Sequence, residues 1–464
     1  MTTGKICNAL VTRHPVFLSQ KLIGEQTATM VLYCRQITPR IAYIASWLGN
    51  YLFASPLNIV TNPLTVPEGS YTLNYSDQLL SIPNYQVLPH GLLEQAEIRD
   101  QKIIASEIDG LPVFFINNGQ HSFDLLAAIF YFITRYEEYL PHEKDMYGRY
   151  AHINSIAFKQ GFLNRPLVDE WMLDLKQKLQ QSFPEIQFAE RSFNYLPTFD
   201  VDIAWSYLHK GLLINTAGLL KNLVQRQWTF LGERLQTMFG LKPDPFAVFP
   251  DLAVLHKQYN LQPVFFFLLA EKRIGYDKNI APKNTAFQSL IRQLSIRYKT
   301  GIHLSWQASQ QPSVMQLEKQ LLESICGKQI TANRMHYINF HLPQTFEQLE
   351  ALDIYQEYSM GYGSINGFRA STCTPYQWYN LAKEAETILT IFPYAYMEAN
   401  SIFEQKDDQE TALKELQHYH DIVLKAKGTL ITIFHNHLIG RSAEGRKCWQ
   451  VYERFVANNF KQQQ

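Results

Sequence analysis

The stretch Tyr195-Leu-Pro-Thr-Phe-Asp-Val-Asp-Ile-Ala-Trp-Ser206 decides how the rest of the chain is read. Leu196, Thr198 and Phe199 suit a buried β-strand. Asp is depleted from strand interiors, so Asp200 and Asp202 belong where the strand opens into a loop. In α/β barrels the mouth formed by such strand ends is where active sites are built. Two residues apart on a continued strand, both carboxylates face the same way. Side by side they repel unless a divalent metal or a shared proton relieves them. A capping Asp beside a solvated one explains this stretch alone equally well.

Working outward, residues 264–269, 300–304, 335–339, 389–392 and 430–434 are short, apolar and barely alternating, as strands covered by helices are. With 195–200 they predict an irregular (β/α) barrel over residues 191–464. Residues 1–190 predict a smaller α/β accessory domain, with strands at 28–33, 58–61 and 69–75 and a helix over 40–49 that stops at Gly49. Further helices are predicted at 123–139 and 166–183. The end of the 123–139 helix carries Arg135, Glu137 and Glu138. Paired glutamates invite a metal or catalytic reading, and an Arg/Glu network fixing a domain interface is the plainer one. The Leu-rich segment from Lys210 to Lys242 holds five basic residues and one acidic. It reads as a helical hairpin or lid, or as an amphipathic surface for peripheral membrane contact.

The 464 residues exceed one ordinary hydrophobic core, which implies two domains. Lys plus Arg and Asp plus Glu balance at 42 each, which argues against a nucleic-acid partner. Five cysteines with no CxxC pair argue against a disulfide framework or a zinc–thiolate site and fit a reducing compartment. The N-terminus lacks a secretory apolar region, and no run of about 18 apolar residues occurs, so a cytoplasmic protein without a transmembrane segment is expected.

Histidines gather at the predicted strand ends: His303, His336, and the pair His435 and His437. A lone His on an apolar strand is usually a satisfied core residue. Three strands ending in His, beside one ending in Asp-x-Asp, allow a sharper reading. One carboxylate and two imidazoles make a three-ligand metal site with positions open for water and substrate.

Phe199-Asp-Val-Asp202, Gly301-Ile-His-Leu-Ser-Trp306, Arg334-Met-His336, Gly367-Phe-Arg-Ala-Ser-Thr-Cys-Thr-Pro-Tyr376 and Ile433-Phe-His-Asn436 together resemble the motifs of polysaccharide deacetylases, the carbohydrate esterase family four superfamily. The resemblance covers about 195–464, and the N-terminal unit resembles the extra domain that precedes the barrel in some bacterial members. It implies a divalent metal, with zinc the expected ion, and hydrolysis of an N-acetyl or O-acetyl group on a carbohydrate substrate. It assigns Asp200 as catalytic base, Asp202 and His303 as metal ligands, Arg369 as the residue that orients the base, and His435 as the acid. Arg334, Trp306 and Tyr376 are the expected substrate contacts, with Glu357 an alternative partner for Arg334. Glu398 falls where the family often carries an acid, and either tunes His435 or is a surface carboxylate.

Two departures stand out. Val201 separates aspartates that are usually adjacent, which leaves open which of them holds the metal. Gln307 occupies the position of the second motif's other His, so the third ligand is assigned to His336 by inference. The competing expectations are a metal hydrolase of another amide and a non-catalytic carbohydrate-binding barrel.

Overall fold

The computed structural model describes residues 30–462, so the first two positions of the strand expected at 28–33 lie outside the described residues. The first sheet is parallel, in the order β2-β1-β3-β4, from β1 (Met30–Cys34), β2 (Asn58–Val60), β3 (Tyr71–Tyr75) and β4 (Asn84–Gln86). A short antiparallel pair follows, β5 (Ser106–Ile108) with β6 (Leu111–Val113). Helix α1 (Pro39–Phe53) starts where Thr38 accepts the N–H of Ile41 and Pro39 supplies a preset first turn. It does not stop at Gly49. The chain doubles back after α1, and a Cβ on Gly49 would stand 2.4 Å from the backbone of Leu57, so this glycine serves a close approach.

The expected 123–139 helix is shorter than its apolar run. Helix α2 (Leu125–Ile133) ends before Arg135, whose φ of 55° breaks the helix into a 3₁₀ turn over Tyr136–Tyr139. Helices α3 (Ile156–Lys159) and α4 (Leu167–Ser182) complete this part of the chain.

The second sheet begins with β7 (Asn194–Val201) and continues through β8 (Val264–Leu268), β9 (Lys299–Leu304), β10 (Ala332–Met335), β11 (Gln356–Glu357), β12 (Tyr376–Asn380), β13 (Ala385–Ile391), β14 (Tyr396–Met397) and β15 (Thr429–His435). Its order is β12-β13-β11-β10-β9-β8-β7-β15-β14, parallel except for the β12–β13 hairpin. The Val264–Leu268 strand is buried throughout, as a strand covered on both faces must be.

Of the irregular (β/α) barrel expected from the sequence, the structure has the largely parallel sheet; among the described residues no ladder joins its two edges into a closed barrel. Strands β13 and β14 lie toward opposite ends of the sheet, and the four-residue link 392–395 runs between them. Pro393 removes a donor from the link. Along the link, Phe392 N–H bonds to the Glu357 carbonyl on β11 (2.8 Å), Tyr394 N–H to the Met360 carbonyl (3.1 Å) and Ala395 N–H to the Ile431 carbonyl on β15 (3.1 Å). One apolar core runs from the first sheet into the second.

After Asp202 the chain forms two helices, α5 (Leu212–Val224) and α6 (Trp228–Met238), and returns at Asp244. The Asp244 carboxylate accepts the backbone N–H groups of Ser206, Tyr207 and Leu208 and closes the root of this hairpin.

Candidate active site and metal centre

Strand register brings the chemistry together. His435 pairs with Asp200 across β15 and β7, and Arg334 pairs with His303 across β10 and β9. Asp202 lies one residue past the end of β7 and His336 one residue past the end of β10. The turn that carries His336 holds Tyr337 and Ile338 at φ 59° and 56°, a conformation costly for a β-branched Ile and one that clusters at functional sites.

One ligand atom from each of Asp202, His303 and His336 lies within 4.8 Å of the other two. His303 Nδ1–H donates to the Arg334 carbonyl (2.9 Å) and His336 Nδ1–H donates to Asp277 (2.9 Å). A carbonyl can only accept, so His303 is protonated on Nδ1 and turns the lone pair of Nε2 inward. Metal-ligating histidines are commonly held this way. His303 Nε2 stands 3.3 Å from Asp202 Oδ1 without hydrogen-bond geometry, and both atoms are buried with no partner. Buried polar groups normally find one. The donor set and these orphaned atoms fit a divalent cation. Burial opposes charge on Asp202, but His303, His336 and His435 outweigh it and hold its carboxyl well below the usual carboxylate range.

Asp200 is buried, with Oδ1 2.7 Å from Arg334 Nη1. Its other oxygen lies 3.7 Å from His303 Nε2 and 3.9 Å from His435 Nε2. The expected orienting residue, Arg369, is elsewhere: it pairs with Glu138 (2.6 and 2.8 Å) and donates to the Gly361 carbonyl. Arg334, expected as a substrate contact, takes its place beside Asp200. It is fully buried, its Nε donates to the Tyr358 carbonyl, and its guanidinium lies 4.5 Å from the centre of the Phe266 ring. Gly301 makes room for that ring, since a Cβ there would stand 2.4 Å from Phe266. Glu357, the alternative partner for Arg334, bonds to Asn333 and Ser359.

His435 Nδ1–H donates to Glu398 (3.1 Å). Burial works against its charge, yet Glu398, Asp202 and Asp200 push His435 up to about 10. Burial pushes neighbouring His437 down to about 4.

Tyr376 is also displaced from its expected role. It starts β12, an edge strand, and is buried beside Arg135, Glu138 and Arg369. The whole Gly367–Tyr376 motif packs beneath the N-terminal part of the chain. Arg135 donates to the Arg369 carbonyl, and Asp169 accepts from Thr372, Cys373 and Thr374. Trp306, in contrast, lies at the rim in a cluster with Tyr147, Tyr276 and Tyr337. Ring centres are 4.5 Å apart for Tyr276–Trp306 and 5.4 Å for Tyr147–Tyr337. Tyr337 in turn packs on His336.

Asp277 and the tyrosines of this rim escape a reading from sequence. Asp277 accepts from His336 and from the backbone of Trp306 and Gln307. The available signal was an acid in the loop after the apolar β8, an end of the sheet where chemistry gathers.

Residues 30–184 match a family described as a family of unknown function (DUF7033). No curated protein matches the chain. Among solved structures the chain is similar to Puue allantoinase, at 12% identity and a TM-score of 0.37 over 57% of this chain and 83% of that one. It is similar to a probable polysaccharide deacetylase from Pseudomonas aeruginosa, at 11% identity and 0.35 over 57% and 84%. It is also similar to a CE4-family pseudoenzyme from Bacillus anthracis, at 7% identity and 0.30 over 59% and 63%. Likenesses this distant say nothing about substrate or activity.

Proposed function

We propose that this chain is a metal-dependent hydrolase that removes acetyl groups from a sugar or polysaccharide. The observation that carries this reading is the convergence of Asp202, His303 and His336 with Asp200 and His435 at one end of a largely parallel sheet. Asp202, His303 and His336 would hold the ion, with zinc expected from a carboxylate and two imidazoles. Bound there, a divalent ion would supply Lewis acidity toward an acyl oxygen and ease the ionisation of water.

The chain's own residues divide the remaining work. Asp200, fixed by Arg334, is the base that takes a proton from the attacking water. His435, oriented by Glu398, is the acid that gives a proton to the departing amine. The rim of Tyr276, Trp306 and Tyr337 offers apolar ring faces of the kind on which a sugar stacks. Residues 1–190 form an accessory unit that shapes access to the site and supplies no chemistry. Metal content and deacetylation of an N-acetylated oligosaccharide, measured for the purified protein and for Asp202→Ala, test the reading. Wild type is expected to carry about one divalent ion per chain and to release acetate, and the variant to do neither. A wild-type protein that binds metal yet releases no acetate from any acetylated sugar would sink the substrate assignment.

A further inference from the structure

The hairpin of α5 and α6 is built inside out. A helix on a globular protein normally turns its apolar stripe inward. Here the buried positions, Asn215, Asn222 and Thr237, are polar, and Leu219, Leu231 and Met238 are only half-buried. Asn215 and Asn222 are the buried residues of α5, and Asn215 binds the Tyr207 carbonyl (2.9 Å) and Arg234 (2.9 Å). The Arg234 guanidinium lies where a Cβ on Gly218 would stand, and Glu233 accepts from the Tyr207 hydroxyl (2.8 Å). The apolar side chains point away. Leu213, Leu220, Val224, Trp228, Phe239 and Leu241 are between 61% and 86% exposed. Scattered exposed leucines need no explanation, but a contiguous apolar face does.

Charge says what covers it. Lys221, Arg226 and Lys242 lie exposed on the hairpin, and Lys272, Arg273 and Lys278 lie exposed on the loop after β8. That loop is joined to the hairpin's root, where Asn284 donates to the His209 carbonyl (3.0 Å), and Arg273 and Lys278 share a cleft with the start of α5. The nearby acids are spent: Glu233 turns inward, and Glu271 faces Lys283 at 3.4 Å. The whole chain is neutral, so this is a local concentration of positive charge. A second copy docking face to face would set these cations against their own equivalents. Helices of 13 and 11 residues are too short to cross a bilayer, and no helix among the described residues is long and apolar enough to do so.

We infer that this hairpin is an interfacial anchor that lays its leucine-rich face into the surface of a bilayer containing anionic phospholipid, with the surrounding lysines and arginines on the headgroups. The inference is independent of the proposed catalytic reading.

The test is co-sedimentation of the full-length protein with vesicles of phosphatidylcholine, with and without phosphatidylglycerol. Wild type is expected to bind the anionic vesicles about tenfold more tightly or better, and added salt is expected to weaken that binding. Two double variants, Leu213→Glu/Val224→Glu and Lys221→Glu/Arg226→Glu, should each lose about tenfold or more while keeping the wild-type circular dichroism spectrum. The replaced apolar side chains are exposed, so the fold does not depend on them. A blue shift of tryptophan emission on adding anionic vesicles should disappear in Trp228→Phe. Absence of vesicle binding by wild type, or equal binding by the double variants, would overturn the inference. So would a vesicle-independent dimer that the Leu213→Glu/Val224→Glu variant abolishes, because the apolar face would then belong to a second copy.

Discussion

Two buried arginine–carboxylate pairs carry the same chemistry to opposite ends. Glu138 and Arg369 are saturated: both carboxylate oxygens accept from Arg369, Arg135 adds a further bond at 2.6 Å, and Arg369 also reaches the Gly361 carbonyl. Asp200 and Arg334 are equally buried but incomplete. Arg334 Nη2, Asp202 Oδ1, His303 Nε2 and His437 Nδ1 are all buried without a partner. A satisfied pair fixes a structure, and four unpartnered donor and acceptor atoms around one centre suit a group that binds there. The first pair therefore reads as a lock between the two parts of the chain and the second as a site.

The largest effect that could break this contrast is on turnover. Asp202→Asn should lose bound metal and activity together, whereas Asp200→Asn should keep its metal and lose about 10²- to 10⁴-fold in kcat. Asp200→Asn also strands Arg334 and so costs stability, which makes turnover per folded, metal-loaded molecule the deciding measurement. If Asp200→Asn arrives metal-free and Asp202→Asn keeps its ion, the roles are reversed.

Next in size is the lock. Glu138→Gln should cost about 3–5 kcal/mol in urea unfolding, the usual result of breaking a buried pair from one side. Its folded fraction should turn over at the wild-type rate, and a large fall in kcat there would erase the distinction between the two pairs.

The lock should also show in pH. Burial opposes ionisation of Glu138, but Arg369 and Arg135 prevail and hold it at about 2, against an ordinary 4.5. A depressed carboxyl stabilises fully above the unfolded value and loses that contribution as pH falls toward the folded one. The stability gap between wild type and Glu138→Gln should thus narrow by about 3 kcal/mol as pH drops from 4.5 to 2. A gap that stays constant over that window would mean that the carboxylate's charge is not what the lock uses.

The smallest effect concerns Tyr147, which with Arg149 carries the N-terminal part to the rim. Tyr147→Ala should raise KM by about threefold at constant kcat, the scale of one aromatic contact. An unchanged KM would leave residues 1–190 with the lock alone.

The site was more legible in the sequence than its wiring. Asp200, Asp202, His303, His336 and His435 stand out because each is a polar group at the end of an apolar strand, and the fold brings all five together. The partner of Asp200 was not legible. Arg334 and Arg369 are both buried arginines in motif-like runs, and only strand register and the space left by Gly301 decide that Arg334 faces Asp200. Tyr376 was assigned to substrate on the same ground and is instead covered by a contact from a distant part of the chain. Most element types were readable from periodicity, but boundaries were not: the strand expected at 335–339 is β10, which ends at Met335, and His336–Ile338 form a 3₁₀ turn. Helix α1 runs through Gly49 because a tertiary close approach needs a glycine there, and α2 ends at Ile133, short of the Tyr139 expected, because Arg135 takes a φ of 55°.

The lock has a consequence for the order of events on the ribosome. Arg135 and Glu138 find each other within one turn, but Arg369 lies 231 residues after Glu138. Asp169 likewise waits for Thr372, 203 residues further on. At typical synthesis rates of about 5–20 residues per second, the N-terminal part leaves the exit tunnel roughly 10–50 s before the groups that complete it. For that interval the residues that face the 367–376 segment have no cover, so crosslinking of stalled nascent chains should capture holding chaperones until that segment emerges.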